Sequence, residues 1–370
     1  MNRPKALYNG TFYTGYEVIV GKAILINNGH IEAIVELSDI PQEYERYDLS
    51  GANVCAGLID LQIYGTGEDL FSAELTSETI NRIEQNLLKQ GCTSFYLTLA
   101  TNTIELFKEA IAVFKSTKRS SALGLHLEGP FLNAVKRGAH PEDLVIPITV
   151  ATLEDLFTDA GELVKIMTIA PELASEEAIQ YLQDKGLLIS AGHSNSTFRQ
   201  AYDSFEKGIS AVTHLWNAMS TLHHRNIGLP GAVFNHPTVN ASIIVDGIHV
   251  DYEAVKLSKK MMGERLFLIT DAVASCSKGI YQHVLNNDHY VLPDGTLSGS
   301  ALTLLQAVGN CVRYADIELD EAIRMATLYP ARLMKLTDLG QLARGYKANI
   351  TVFNDSYEVT HVFLGGEKVV

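Results

Sequence analysis

A chain of 370 residues, 46% hydrophobic and 19% charged, can bury a substantial core and exceeds an ordinary single domain. Its formal charge of −14 argues against a nucleic-acid partner, which needs a basic surface. No apolar run approaches the ~20 residues of a membrane span. Met1-Asn2-Arg3-Pro4-Lys5 lacks the apolar core of a secretory signal, and the four scattered cysteines form no CxxC, so a cytoplasmic protein with reduced thiols and no membrane partner is expected.

From about Ala6 to Ser50 the chain reads as short strands. Ala23-Ile24-Leu25-Ile26, the turn Asn27-Asn28-Gly29 and Ile31–Val35 predict a hairpin, because Asn-Gly tolerates the positive φ of such turns. The far end repeats the theme: Asn349–Phe353 and His361–Leu364 are strand-like, followed by Gly365-Gly366 and Glu367–Val370. Two β-rich ends around one long middle predict that the termini meet in a single small β domain. The expected boundaries are 1–54 with 341–370 for a small β-sandwich, and 55–340 for the catalytic domain.

The middle alternates strand and helix. Strands are predicted at Leu58–Tyr64, Ser94–Ala100, Ala122–Glu128, Val164–Ala170, Leu187–Ala191, Ala211–His214, Asn240–Val245 and Leu266–Asp271. Helices are predicted at Ser77–Gln90, Ile104–Lys115, Ser175–Lys185 and Tyr252–Met262. Ser175 before Glu176-Glu177 suits a helix start, since acidic groups favour the positive end of the dipole. About eight such units predict an α/β fold with a closed (β/α)8 barrel, an open doubly wound sheet being the alternative. Two further helices follow, Ser300–Arg313 and Asp320–Leu328, the second stopping near Pro330.

Polar residues gather at the predicted C-terminal strand ends, where barrel active sites form. In Gly124-Leu125-His126-Leu127-Glu128-Gly129-Pro130-Phe131 an apolar run ends in a carboxylate, which needs either a cationic partner or a metal. His193 follows the fifth strand, His214 ends the sixth, His249 follows the seventh and Asp271 ends the eighth. Two imidazoles and a carboxylate with an open position match catalytic Zn²⁺ and related divalent ions. Asp271 could be a fourth ligand, a general base beside an activated water, or a helix cap.

The set Ala56-Gly57-Leu58-Ile59-Asp60, His126-Leu127-Glu128-Gly129-Pro130-Phe131, Gly192-His193-Ser194, and Thr213-His214-Leu215-Trp216-Asn217-Ala218-Met219 resembles the N-acetylglucosamine-6-phosphate deacetylase family of the amidohydrolase superfamily. Asp246-Gly247-Ile248-His249, Thr270-Asp271-Ala272 and Gly295-Thr296-Leu297-Ser298-Gly299-Ser300 continue the likeness. Met325–Ala331 and Gly345-Tyr346-Lys347-Ala348-Asn349 close it, almost end to end with the order intact.

The resemblance implies the barrel and the two-ended β-sandwich, and it implies roles. Glu128, His193 and His214 would hold the metal, and Asp271 would be the catalytic acid/base. Ala139 and His140 would lie on a substrate loop, His140 at the acetamide carbonyl. Asn217, Ala218, Arg225, Asp246 and His249 would contact the sugar phosphate, with Leu297, Ser298 and Gly299 shaping the pocket. A guanidinium at 225 suits phosphate, and in such enzymes it reaches a neighbouring subunit's pocket.

One departure matters. Most of the superfamily carries His-x-His after the first barrel strand, where this chain has Gln62 and Tyr64. An amide is a poor metal ligand and a phenol would have to lose a proton of pKa ≈ 10. One divalent metal per subunit is therefore expected, with Zn²⁺ first in line. The implied reaction is hydrolysis of N-acetyl-D-glucosamine 6-phosphate to D-glucosamine 6-phosphate and acetate, in a homodimer or homotetramer. The alternatives are the N-acetylgalactosamine epimer as substrate, or a catalytically silent scaffold of the same fold.

Overall fold

The structure, a computed structural model, describes residues 3–370. The turn predicted at Asn27-Asn28-Gly29 is a two-residue hairpin loop: Asn28 (φ 48°) and Gly29 (φ 80°) take the positive φ values, and Asn27 faces His30 across the strands Lys22–Asn27 and His30–Glu36. Gly365 (φ 54°) and Gly366 (φ 76°) do the same between Val359–Leu364 and Glu367–Lys368. Ile350–Phe353 pairs antiparallel with Asn53–Ala56, so both chain ends share one six-stranded sheet. A four-stranded sheet is built from Lys5–Tyr8, Lys22–Asn27, His30–Glu36 and Glu45–Asp48. Leu7, Ile24 and Ile31 from this sheet share a core with Phe12, Val54, Ile350 and Phe363 from the other. The meeting of the termini expected from the sequence is thus present.

Two compact units result. One runs to Asp60 and includes Gln85–Ser94 and Thr303–Val370; the other comprises Leu61–Glu84 and Phe95–Leu302. The helices Leu304–Tyr314, Leu319–Ala326 and Leu328–Leu333 group with the terminal strands.

The eight barrel strands are β1 (Leu58–Ile63), β2 (Cys92–Ala100), β3 (Ala122–Glu128), β4 (Val164–Ile169), β5 (Leu188–Ala191), β6 (Ala211–Val212), β7 (Asn240–Ile243) and β8 (Leu266–Leu268). They lie side by side in chain order, and every pair from β2–β3 to β7–β8 is parallel. The ring closes at its C-terminal mouth, where Ile63 bridges Ala272, the Asp271 N–H donates to the Gln62 carbonyl (3.0 Å) and the Tyr64 N–H to the Ala272 carbonyl (2.9 Å).

The boundaries depart from expectation in a consistent way. β6, β7 and β8 stop two or three residues early, so His214 and Asp271 lie beyond their strands. Their backbones are left-handed, and a positive φ cannot continue a strand. Ser300 does not start a helix. It ends the strand Leu297–Ser300, and the helix begins after Thr303, whose side chain and that of Gln306 form a capping box. Pro330 does not stop a helix either: the break is at Thr327 (φ −135°, ψ −76°), and Pro330 sits in the first turn of the next helix, where no N–H donor is needed. Ser175 caps as predicted, accepting from the Ala178 N–H. Among the described residues no helix is long and apolar enough to cross a membrane.

One buried glutamate side chain sets the entry of β3. Glu84, only 4% exposed, accepts from the N–H groups of Ser120 (3.0 Å), Ser121 (2.7 Å) and Ala122 (2.8 Å). Glu84→Ala should strand those donors and lower the unfolding free energy by ~3 kcal/mol, measured by urea denaturation.

Candidate active site

β3 delivers Glu128 to the mouth of the barrel, where the residue is 2% exposed. Burial alone would raise its pKa. The charge of His193 and hydrogen bonds from His140, His193 and His214 override that and hold it well below the ordinary carboxylate range. Nε2 of His214 lies 3.0 Å from Glu128 Oε1, Nε2 of His193 lies 3.2 Å from the same oxygen, and the two Nε2 atoms are 3.2 Å apart.

The sequence folds this way because three site residues leave their strands in left-handed backbone: His193 (φ 46°), His214 (φ 34°) and Asp271 (φ 54°). Each such residue is strained by ~1–3 kcal/mol, and each is pinned. The Gly192 N–H donates to the Ile169 carbonyl (3.0 Å), the His214 N–H to Ser242 Oγ (2.8 Å), and the Asp271 N–H to Gln62. The loop after β5 is tied to the loop after β6 by the Ser194 N–H on the Ala218 carbonyl (3.1 Å). Glu172 anchors it from outside, accepting from Ser194 Oγ (2.7 Å) and the Asn195 N–H (2.7 Å).

Hydrogen-bond polarity separates the three imidazoles. His193 Nδ1 is 2.9 Å from the Lys136 carbonyl, which only accepts, so Nδ1–H donates there and Nε2 is the atom that faces Glu128 and His214. His214 Nδ1 is buried without a partner. Ligand atoms of Glu128, His140 and His193 all lie within 4.8 Å of one another, so geometry alone admits His140 as a metal ligand. Its hydrogen bonds point elsewhere. Burial, ahead of repulsion from His193, pushes the His140 pKa down to about 4, leaving one ring proton at neutral pH. Nδ1 receives the Thr101 N–H (3.3 Å) and lies 2.8 Å from Thr101 Oγ1. The proton therefore sits on Nε2, 3.2 Å from Glu128 Oε2. His140 is a donor into the site, while the Nδ1 proton of His193 is held by a backbone carbonyl outside it.

Gln62 and Tyr64 face the same carboxylate. Gln62 Nε2 lies 3.1 Å from Glu128 Oε1 and 2.7 Å from Asp271 Oδ1, and Tyr64 Oη donates to Glu128 Oε2. An amide nitrogen thus links the two carboxylates, a place where a second cation would have to compete with it. Burial, then the charges of Glu128 and Asp271, push the Tyr64 pKa well above its usual value, so it stays a phenol. Glu128, His140 and His193 form a buried group that could hold a metal ion, with His214 Nε2 3.0 Å from Glu128 Oε1 beside them.

A cavity of about 250 Å³ opens above this cluster. Its lining includes Glu128, Ala139, His140, His193, His214, Asn217, Ala218, His249, Asp271, Leu297, Ser298 and Gly299. Asn217 Nδ2 is buried and without a partner. Two expected contacts are not in the lining. Arg225 is exposed, on the loop after β6. Asp246 has its oxygens occupied: Oδ1 accepts from the N–H groups of Ile248 (2.9 Å) and His249 (2.8 Å), and Oδ2 from His249 Nδ1 (2.5 Å). It aims His249 at the cavity.

Tyr281, His283 and Thr101 were not foreseen. Tyr281 and His283 line the cavity beside an antiparallel sheet of Val284–Asn286, His289–Val291 and Leu297–Ser300, with Tyr281 Oη donating to the Thr101 carbonyl (2.7 Å). They follow no barrel strand, so the strand-end rule could not find them. Thr101, directly after β2, is a position that the rule does cover.

Residues 53–369 match the model of the amidohydrolase family, and residues 6–54 that of the NagA composite domain. The chain is 35% identical over 382 residues to the N-acetylglucosamine-6-phosphate deacetylase of Haemophilus influenzae, covering 98% of each. The crystal structure of the N-acetylglucosamine-6-phosphate deacetylase from Pasteurella multocida is similar with a TM-score of 0.94 at 34% identity, over 99% of both chains. A mutant N-acetyl-D-glucosamine-6-phosphate deacetylase from Mycobacterium smegmatis, in complex with N-acetyl-D-glucosamine-6-phosphate, is similar with a TM-score of 0.93 at 27% identity, over 100% of both.

Proposed function

This chain belongs to the amidohydrolase family, among its N-acetylglucosamine-6-phosphate deacetylases, and we propose that Glu128, His193 and His214 hold one divalent ion for that reaction. The carrying observation is the Glu128 carboxylate 3.0–3.2 Å from the Nε2 atoms of both histidines. Two imidazoles, a carboxylate and an open position suit Zn²⁺. When bound, the ion supplies a Lewis acid for the acetamide carbonyl and makes water acidic enough to attack near neutral pH.

The chain's own residues do the rest. His140 Nε2–H donates to the carbonyl oxygen as charge develops there. Asp271, aimed by the Gln62 amide at 2.7 Å, takes the proton of the attacking water and passes it to the departing amine nitrogen. That nitrogen is too basic to leave unprotonated. The products are acetate and D-glucosamine 6-phosphate. Asn217, Ala218, His249 and the Leu297-Ser298-Gly299 strand hold the sugar, with Ala139 on the loop that carries His140. Asp246 is a positioning residue for His249.

Among the described residues the cavity lining contains no lysine or arginine, although the substrate carries a phosphate. Arg225, exposed outside its own cavity, fits that need in the pocket of a second copy, which makes a homodimer the smallest complete assembly. Four free cysteines are in keeping with a cytoplasmic setting. Residues 55–340 carry the chemistry, with 1–54 and 341–370 as the supporting β-sandwich.

Four outcomes test this. Elemental analysis should find about one tightly held divalent ion per chain, and two activity-linked ions would overturn the reading of Gln62 and Tyr64. Asp271→Asn should keep that ion while kcat falls by ~10²–10⁴; full turnover would remove it as the acid/base. Arg225→Ala should raise KM for the phosphorylated sugar by about 10–100-fold and spare an unphosphorylated acetamido sugar. Assays on both the glucosamine and galactosamine epimers, before and after chelation, decide the substrate.

A further inference from the structure

The interior of a (β/α)8 barrel is ordinarily filled by branched apolar side chains. Beneath the Glu128 cluster this barrel instead buries His126 (3% exposed), Thr168 (0%), Thr213 (2%) and Ser190 (4%), from β3, from β4, from just past β6, and from β5. Threonine and valine have nearly the same volume, so packing does not require the hydroxyls. They form a connected chain. His126 Nδ1 lies 3.0 Å from the Leu61 carbonyl, which can only accept, so Nδ1 carries the proton. His126 Nε2 lies 2.8 Å from Thr168 Oγ1. Thr168 Oγ1 lies 2.7 Å from Thr213 Oγ1, and Thr213 Oγ1 lies 2.6 Å from Ser190 Oγ.

Three of the four members are close in sequence to a residue of the metal cluster, and the fourth, Thr168, lies under Gly192. His126 is two residues before Glu128 on β3, and strand periodicity turns both into the barrel. Thr213 directly precedes His214, whose left-handed backbone cannot hold itself. Gly192 precedes His193, and a Cβ there would lie 2.6 Å from Thr168 Cγ2 and 3.0 Å from Thr213 Cβ. The chain therefore passes directly under the points where the ligand-bearing segments of β3, β5 and β6 leave the barrel.

We propose that the His126–Thr168–Thr213–Ser190 hydrogen-bond chain is a positioning device for the metal, holding Glu128, His193 and His214 in register and thereby setting metal affinity. It rests on the assignment of those residues as ligands. The hydroxyls touch neither substrate nor metal; they act through the backbone of their neighbours. Successive contacts of 2.6–2.8 Å tie the three segments to one another, whereas an apolar layer would let them slide.

Thr213→Val keeps the shape and removes the hydroxyl, and Thr213→Ser restores it. Zn²⁺ affinity is read by chelator competition on the folded metal-free protein, ligand geometry by the visible absorption of the Co²⁺ form, and packing by the unfolding midpoint of the metal-free protein. Thr213→Val should raise the Zn²⁺ dissociation constant about 10–100-fold and alter the Co²⁺ bands, with Thr213→Ser within ~3-fold of the parent. A folded Thr213→Val with parental affinity and spectrum overturns the proposal, as does a Thr213→Ser that binds as weakly as the valine variant. Should Thr213→Val not fold, Thr168→Val and Thr168→Ser carry the same comparison. A parent protein that takes up no metal would overturn the ligand assignment itself, a result distinct from unchanged affinity in the variants.

Discussion

A carboxylate stripped of water stays ionised only if positive charge or hydrogen-bond donors surround it. Glu128 meets that condition at the mouth of the barrel, and much of the local structure follows from it. Tyr64 and Gln62 come from the first barrel strand and the segment after it, His140 from the loop after the third, His193 from beyond the fifth and His214 from beyond the sixth. Removing water makes each contact stronger and makes each vacancy more damaging. The neighbours of Glu128 are accordingly fixed by their own second partners: Thr101 for His140, Lys136 for His193, Asp271 for Gln62.

Meeting around one carboxylate demands sharp exits from the strands. His193, His214 and Asp271 all turn through left-handed backbone, a conformation that side-chain-bearing residues hold only when their surroundings over-determine it. A parallel barrel supplies such surroundings because its strands end side by side, so each turn can be tied to the next. Close packing adds to this: Gly129 (φ 87°) lies so near Thr101 Oγ1 that a Cβ would come within 2.1 Å of it. The glycine after Glu128 is thus part of how Thr101 and His140 are placed.

Much of this was legible in the chain. Periodicity placed the eight strands, Asn-Gly marked the first hairpin, and a strand ending in Glu128 marked the site. Histidines at several strand ends pointed to a metal. Other features left no local trace. Asp246 looks like a ligand-facing acid, yet its oxygens are consumed by its own turn and by His249. Tyr281 and His283 belong to a short antiparallel sheet outside the barrel repeat. Pro330 reads as a stop but falls where a helix tolerates it, because the break three residues earlier moved the helix start.

Gln62 and Tyr64 show the division most clearly. Residue identity alone says what they cannot do, since neither an amide nor a protonated phenol is a good metal ligand. Only the folded chain says what they do instead, which is to donate to Glu128 and, for Gln62, to Asp271. The same holds for the imidazoles. Sequence names three histidines, but which ring nitrogen carries the proton depends on a carbonyl at Lys136 and a threonine at position 101, each 39 or more residues away along the chain. Strand order, residue chemistry and ligand types are local properties and can be read in one dimension. Protonation, hydrogen-bond direction and which acid faces the cavity are properties of pairs, and those pairs exist only once the barrel closes.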